Sequence, residues 1–299
     1  MKKKLLKKIF KKILYSPINF SIFFGIIYSN LLSLINGKFY WEDKIEKIGK
    51  KIFSINIEKN LNLNFYTVNS ITKFRAETFF DKEPDTIDWI KEYNGNGDFL
   101  DIGANIGIYS NLFAKIKNGH VYAFESSFYN LSLLAENCQI NNNENKITIF
   151  PFPLFNINKI GKFKINNPVV GGALSSFDVS YGYDGKKIEN FQEYLVPGFS
   201  LDFLLEHKIL KKTPALIKLD VDGVEDLILK GSSKILKDSK CKSVLVEVNE
   251  IFESQYENIQ KIMIDNDFKI KSSGKKTNLI DLIKSEKFEK TYNQIWIKN

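Results

Sequence analysis

The stretch from Phe99 to Ser110, Phe-Leu-Asp-Ile-Gly-Ala-Asn-Ile-Gly-Ile-Tyr-Ser, constrains the fold more than any other part of the chain. Phe99, Leu100 and Ile102 make a short apolar strand, Gly103 and Gly107 punctuate a turn, and Ile108, Leu112, Phe113 and Ile116 recur at helical spacing. A strand, a glycine turn and a helix in direct succession let the backbone approach a ligand closely and aim free N–H groups at it. In open α/β sheets, nucleotide-type ligands bind at that end of a strand. The spacing is G-x-x-x-G, which departs from the dinucleotide fingerprint, and no Gly-Lys-Ser/Thr follows to make a phosphate loop. A second apolar run, His120 to Glu125, ends in a carboxylate that can accept both hydroxyls of a ribose.

Three motifs then occur in order: Asp-Ile-Gly-Ala-Asn-Ile-Gly at 101–107, Ala-Phe-Glu at 123–125, and Leu-Ile-Lys-Leu-Asp-Val-Asp-Gly-Val-Glu at 216–225. Together they resemble the FkbM-type S-adenosylmethionine-dependent methyltransferases, over a stretch from Glu77 to the C-terminus. The resemblance implies an α/β fold, a Rossmann-like seven-stranded methyltransferase sheet with helices on both faces. It implies S-adenosylmethionine as cofactor, bound by Asp101, Gly103, Asn105, Gly107, Glu125 and Ser126. In that reading the glycine turn meets the amino-acid end, Asp101 accepts from the ammonium directly or through water, and Glu125 takes the ribose diol. Asn105 is a polar contact or a helix cap, and Ser126 stands where the family usually has proline.

Asp220, Asp222 and Glu225 cluster at the end of a strand and the first turn of the next helix, where mutual repulsion raises at least one pKa and supplies a candidate base. The family commonly has Asp-Val-Glu-Gly where this chain has Asp220-Val-Asp222-Gly223, a carboxylate one methylene shorter. No metal site is assigned. The resemblance further implies methyl transfer to oxygen, on a sugar hydroxyl of a cell-surface glycan or its lipid-linked precursor. Two other classes remain open. Asp220-x-Asp222 is also the D-x-D pattern of metal-dependent glycosyltransferases, and a non-catalytic module could keep the fold.

Charge separates the N-terminus from the rest. The net charge is +8, and Lys2, Lys3, Lys4, Lys7, Lys8, Lys11 and Lys12 carry nearly all of the excess, so the body is close to neutral and a broad nucleic-acid-binding face is not expected. Leu5, Leu6, Ile9, Phe10, Ile13 and Leu14 oppose those lysines on a basic amphipathic helix. Ile13 to Gly37 carries no charge, but its Ser, Asn and Pro residues make it a poor transmembrane span, and no signal-peptide cleavage pattern follows Ile22 to Tyr28. Residues 1–50 are therefore expected to be a basic, membrane-associating segment ahead of a methyltransferase domain at 51–299. Residues 1–37 would dock on an anionic membrane surface, with the protein cytoplasmic and peripheral at the inner face. Cys138 and Cys241 form no metal or redox motif.

Along the body, the patterns predict one or two hairpins over 53–74, helices over 85–93 and 129–140, and a strand over 146–151. Residues 156–200 read as an irregular, substrate-covering insertion with a short strand at 162–166. Within it Gly171 to Ser176 matches a small-residue stretch of the family, and Tyr181, Tyr183 and Phe191 could stack on a sugar or pack as core. A strand at 215–220, a helix at 224–236, a strand at 243–248, a helix at 254–265 and a closing antiparallel hairpin of 268–272 with 294–298 complete the count.

Overall fold

The computed structural model describes residues 49–188, 192–274 and 290–298, with seven positions between Ser21 and Leu31. The expected amphipathic helix over 1–14, most of the uncharged run to Gly37, and Phe191 lie outside the described residues. Contacts divide the chain into compact units Met1–Lys51 and Ile52–Asn299; the second carries the fold below. Among the described residues no helix is long and apolar enough to cross a membrane.

The central sheet is built on β3 (Phe99–Ile102), β4 (Val121–Phe124), β5 (Ile147–Phe150), β9 (Leu216–Leu219), β10 (Ser243–Asn249), β11 (Phe268–Ser273) and β12 (Thr291–Lys298). Their order across the sheet is β11-β12-β10-β9-β3-β4-β5. β3 pairs in parallel with β4 and β9, β4 with β5, and β9 with β10, whereas β12 runs antiparallel to both of its neighbours. The seven-stranded, mostly parallel methyltransferase sheet expected from the motifs is thus present. The closing strands differ from a simple hairpin: β12 inserts between β10 and β11, and residues 274–290 separate it from its partner.

Strands buried on both faces need apolar residues at nearly every position, which is why β3, β4 and β9 read as apolar runs broken only by Asp101 and Lys218. Leu100, Ile102, Tyr122, Phe124, Val244 and Val246 point to one core, with the helices Leu201–Glu206, Glu225–Lys230, Ser233–Lys237 and Glu253–Asp265. Phe99, Val121, Ala123 and Leu245 point to the other, with the helices Pro84–Glu92, Ile108–Ile116 and Phe128–Ile140. Fully burying each such side chain contributes about 1.5–3 kcal/mol.

Several local expectations change. The alternation over 53–74 gives one hairpin, β1 (Lys51–Glu58) with β2 (Leu61–Thr67), and then the helix Ser70–Glu77, started by a reciprocal Asn69–Thr72 capping box. That hairpin is a separate sheet; the Asn137 and Asn141 side chains accept the Tyr66 and Asn64 N–H groups, so β2 is tied to the helix Phe128–Ile140. The helix expected over 224–236 breaks at Gly231, because Asp202 accepts the Lys234 and Ile235 N–H groups and the Ser233 hydroxyl, starting a second helix. The region 156–200 is more regular than its composition suggests. β6 (Lys159–Ile165) pairs antiparallel with β7 (Ser176–Phe177) and β8 (Gln192–Gly198) over a small core of Phe155, Phe163, Ile165 and Phe177.

Candidate active site

The carboxyl ends of β3, β4, β9 and β10 deliver Gly103, Glu125, Asp220 and Glu247 to one cleft of about 440 Å³. Its other walls include Arg75 and Lys82 from the helices before β3, the segment Gly172–Ser176, and the aromatic rings of Phe74, Phe152, Phe163 and Tyr183.

Gly103 (φ +87°) and Gly107 (φ +83°) hold left-handed turn conformations. A Cβ on Gly103 would lie 1.8 Å from the Asp220 carbonyl oxygen, and one on Gly107 would lie 2.4 Å from Leu134 Cδ1. The glycines are therefore demanded first by the meeting of β3 with β9 and by packing of the helix Phe128–Ile140; Gly103 lines the cleft, whereas Gly107 caps the helix Ile108–Ile116 behind it. Asn105 is itself left-handed (φ +50°) and is not the cap. Its N–H donates to Glu125 Oε2 at 2.8 Å, and its side-chain amide donates to the Gly172 carbonyl at 2.8 Å, so it ties turn, carboxylate and covering segment together. Asn130 repeats the tie, accepting from Gly171 N–H and donating to the Gly172 carbonyl.

Glu125 accepts a second N–H, from Ser127 to Oε1 at 2.7 Å, and burial raises its pKa. The Asn130 amide and the Ser126 N–H also face this carboxylate, so a diol would share its roughly four acceptor directions with protein donors. Ser126 is buried beside it and lines the cleft; its carbonyl accepts the Tyr194 hydroxyl, a tether in place of the usual proline ring. Asp101 is 1% exposed and does not line the cleft. Its Oδ2 accepts the Ser110 hydroxyl at 2.6 Å, while Oδ1 is buried with no partner among the described residues. Such an orphan costs about 1–3 kcal/mol, and the carboxylate is set back from the cleft lining.

The acidic cluster divides. Asp220 lines the cleft and accepts from Lys218 Nζ at 2.6 Å. Lys218 is a fully buried ammonium under the Tyr109 ring; burial opposes its charge, but Asp220, Glu83 and Asp101 raise its pKa. Asp222, left-handed at φ +62°, lines the cleft and accepts the Leu174 N–H at 2.6 Å; burial, then the Asp220 charge, pushes its pKa up to about 6. Glu225 does not join them. It is 2% exposed, accepts from Val221 and Gly223 N–H and from the Gln255 amide, and lies outside the cleft lining. Burial pushes its pKa up to about 7, and its bonds organise the turn that presents Asp222. The third carboxylate that lines the cleft beside Asp220 and Asp222 is Glu247, whose pKa is raised well above the usual range by burial and by Asp220, Asp222 and Glu225.

Asp220, Asp222 and Glu247 bring carboxylate oxygens within 4.8 Å of one another, the one such set among the described residues. Hard oxygen ligands of this kind could hold a divalent cation. Lys218 pairs with Asp220 and the Leu174 N–H with Asp222 Oδ2, so a cation here would share these oxygens with donors already in place. Sequence patterns missed Glu247, Lys218, Arg75, Lys82 and Glu83. Glu83 accepts from Lys82 at 2.6 Å; burial would raise its pKa, and Lys82 and Lys218 hold it well below the carboxylate range. Of the three aromatic candidates, Tyr183 lines the cleft and Tyr181 packs edge-on against Phe252.

S-adenosylmethionine fits the chemistry of this lining: Glu125 brings a carboxylate to the cleft at the tip of β4, the turn brings main chain to it, and charged groups of both signs line it. The family model described as Methyltransferase FkbM domain matches residues 101–272. Among solved structures, an FkbM methyltransferase from Methylobacillus flagellatus is 15% identical with a TM-score of 0.45, covering 76% of this chain and 52% of its own. This chain thus spans about half the length of that protein. A putative rRNA-methylase from Clostridium thermocellum is 8% identical with a TM-score of 0.43, covering 73% of this chain and 98% of its own. A putative SAM-dependent methyltransferase from Streptococcus mutans is 9% identical with a TM-score of 0.45, covering 83% and 55%. A comparison with curated proteins finds no match. The matched segment carries all three motifs and most of the cleft, and more than half of the chain; the protein belongs to the FkbM methyltransferase domain family.

Proposed function

We propose that this protein transfers a methyl group from S-adenosylmethionine to a hydroxyl, on a sugar of a cell-surface glycan or its lipid-linked precursor. The observation that carries the reading is that one cleft joins Glu125, at the tip of β4, to Asp222 and Glu247 across Gly103. A cofactor laid along that line would have its ribose on Glu125 and its sulfonium methyl facing the acidic end. When bound, S-adenosylmethionine supplies an electrophilic methyl; the chain's work is to align an acceptor oxygen with it and take its proton. Asp222, titrating at about 6, is ionised at neutral pH and suits the base. Glu247, whose affinity for a proton is raised by burial and by the neighbouring carboxylates, can donate a hydrogen bond to the acceptor when it carries that proton. Phe74, Phe152, Phe163 and Tyr183 give the cleft an aromatic lining on which a sugar could pack.

Membership of a methyltransferase family favours this over the D-x-D glycosyltransferase reading, which gives no role to the glycine turn and Glu125. The basic N-terminal residues support docking on an anionic, inner membrane face, where lipid-linked acceptors lie; removing residues 1–37 should release the protein from anionic vesicles. The catalytic reading is tested by calorimetric titration with S-adenosylhomocysteine, beside Glu125→Ala, followed by methyl-labelling of nucleotide sugars and lipid-linked oligosaccharides. Binding lost in the variant, and a label stable to alkali as an ether is, are expected. Absence of binding in the wild type would reject it.

A further inference from the structure

Next to the glycine turn the cleft continues into a recess of about 40 Å³, bounded by Gly103, Asn105 and Tyr109 on one side and by Arg75, Lys82 and Glu83 on the other. The latter three lie on the helices Ser70–Glu77 and Phe79–Lys82 and the residue after them, outside the segment matched to the family. The recess holds one small polar group. Its charges are nearly all spoken for: Lys82 pairs with Glu83, and Lys218 with Asp220. Arg75 is the exception. Among the described residues no carboxylate pairs with it, and only its Nε is engaged, donating to the Gly171 carbonyl at 2.8 Å. That bond fixes the guanidinium plane and leaves the Nη edge, the fork that matches a carboxylate bidentately.

Composition sharpens the point. Of the chain's 43 basic residues, Arg75 is the only arginine. Charge alone has been met by lysine at every other position, and lysine cannot supply a rigid planar fork. We propose that Arg75 binds the carboxylate of the methionine moiety of S-adenosylmethionine and of S-adenosylhomocysteine in this recess. The inference rests on the methyltransferase reading. The recess adjoins the same Gly103 that begins the turn, and the N-terminus of the helix Ile108–Ile116 adds N–H groups favourable to an anion. The guanidinium also stands on the Gly171 carbonyl, so cofactor binding and the covering segment share one side chain.

The test compares three ligands by calorimetry on the full chain: S-adenosylhomocysteine, its decarboxylated analogue, and 5′-methylthioadenosine, which lacks the amino-acid end. Wild-type protein should prefer S-adenosylhomocysteine over the decarboxylated analogue by about 10- to 100-fold, the range of one charged hydrogen-bonded pair. Arg75→Gln should abolish that preference and leave affinity for methylthioadenosine unchanged within about twofold, with Arg75→Lys between the two. Because the chain has one arginine, the wild type gives a single guanidinium Nε–Hε NMR signal, and this should shift with S-adenosylhomocysteine but not with the decarboxylated analogue. Equal loss of all three ligands in Arg75→Gln, or an unmoved signal in wild type that binds S-adenosylhomocysteine, overturns the proposal and makes Arg75 a prop for Gly171. If wild type binds methylthioadenosine and S-adenosylhomocysteine equally well, the carboxylate subsite is refuted while the methyltransferase reading stands. If it binds none of them, that reading fails first and this inference with it.

Discussion

Replacing Asp222 by Asn should make the protein more stable, by an amount that depends on pH. In an unfolded chain an Asp titrates near 4; in the folded protein, burial and the neighbouring Asp220 carboxylate move Asp222 up to about 6, with Arg75 and Lys82 opposing. The folded state therefore binds this proton more tightly than the unfolded state does. The stabilisation that comes with the proton is complete below pH 4 and is lost as pH rises through 6. Two pKa units correspond to about 3 kcal/mol, an upper bound for a half-buried group. Asn cannot ionise, and its amide oxygen can still accept the Leu174 N–H that Asp222 Oδ2 accepts now. Urea unfolding of both proteins should give equal stabilities at pH 4 and a gap opening to about 1–3 kcal/mol at pH 8 in favour of the variant. The same variant should lose methyl transfer, because the base is gone. Wild-type activity should itself fall as pH drops through 6. A stability difference that does not change with pH, or a variant less stable at pH 8, would refute the idea that ionised Asp222 is held at a cost.

Gly103→Ala should destabilise by about 2–4 kcal/mol, since its Cβ meets the Asp220 carbonyl and its φ is left-handed; thermal unfolding checks this. Glu225→Ala should act on the fold, costing about 1–3 kcal/mol by freeing the Val221 and Gly223 N–H groups. Its affinity for S-adenosylhomocysteine, read by calorimetry, should stay close to that of wild type. Glu125→Gln should weaken S-adenosylhomocysteine and methylthioadenosine alike, by about 10-fold or more, because the ribose is common to both; selective loss of one ligand would contradict a ribose contact.

What could be read from the sequence follows the range of the signals. β3, β4 and β9 were legible because burial on both faces writes an apolar run, and the glycine turn because left-handed geometry admits few residues. Glu125 and Asp220 followed from their places at strand ends. Arg75, Lys82, Glu83 and Glu247 reach the same cleft from separate elements, and such convergence leaves no periodic trace. Lys218 misleads in another way: a lysine in a strand looks like a surface residue, while here the Asp220 carboxylate and the Tyr109 ring hold its ammonium inside. Glu225 was placed with the base because spacing cannot tell which way a carboxylate faces; its three donors turn it inward. β8 was hidden by Pro197 and by a strand whose alternation buries only one face, Tyr194 and Val196 packing on the small sheet's core.

Strand β12 joins the sheet between β10 and β11, yet it is the last of the seven to be synthesised. Until residues 291–298 leave the ribosome, the outer edge of β10, with Val244, Leu245 and Val246 on it, has no strand to pair with, and β11 has no sheet to join. Between the emergence of β10 and that of β12, a nascent chain therefore presents an open, apolar strand edge, the kind of surface that recruits another strand. Closure of the sheet waits for β12, and β10, the strand that carries Glu247, gains its second neighbour only then.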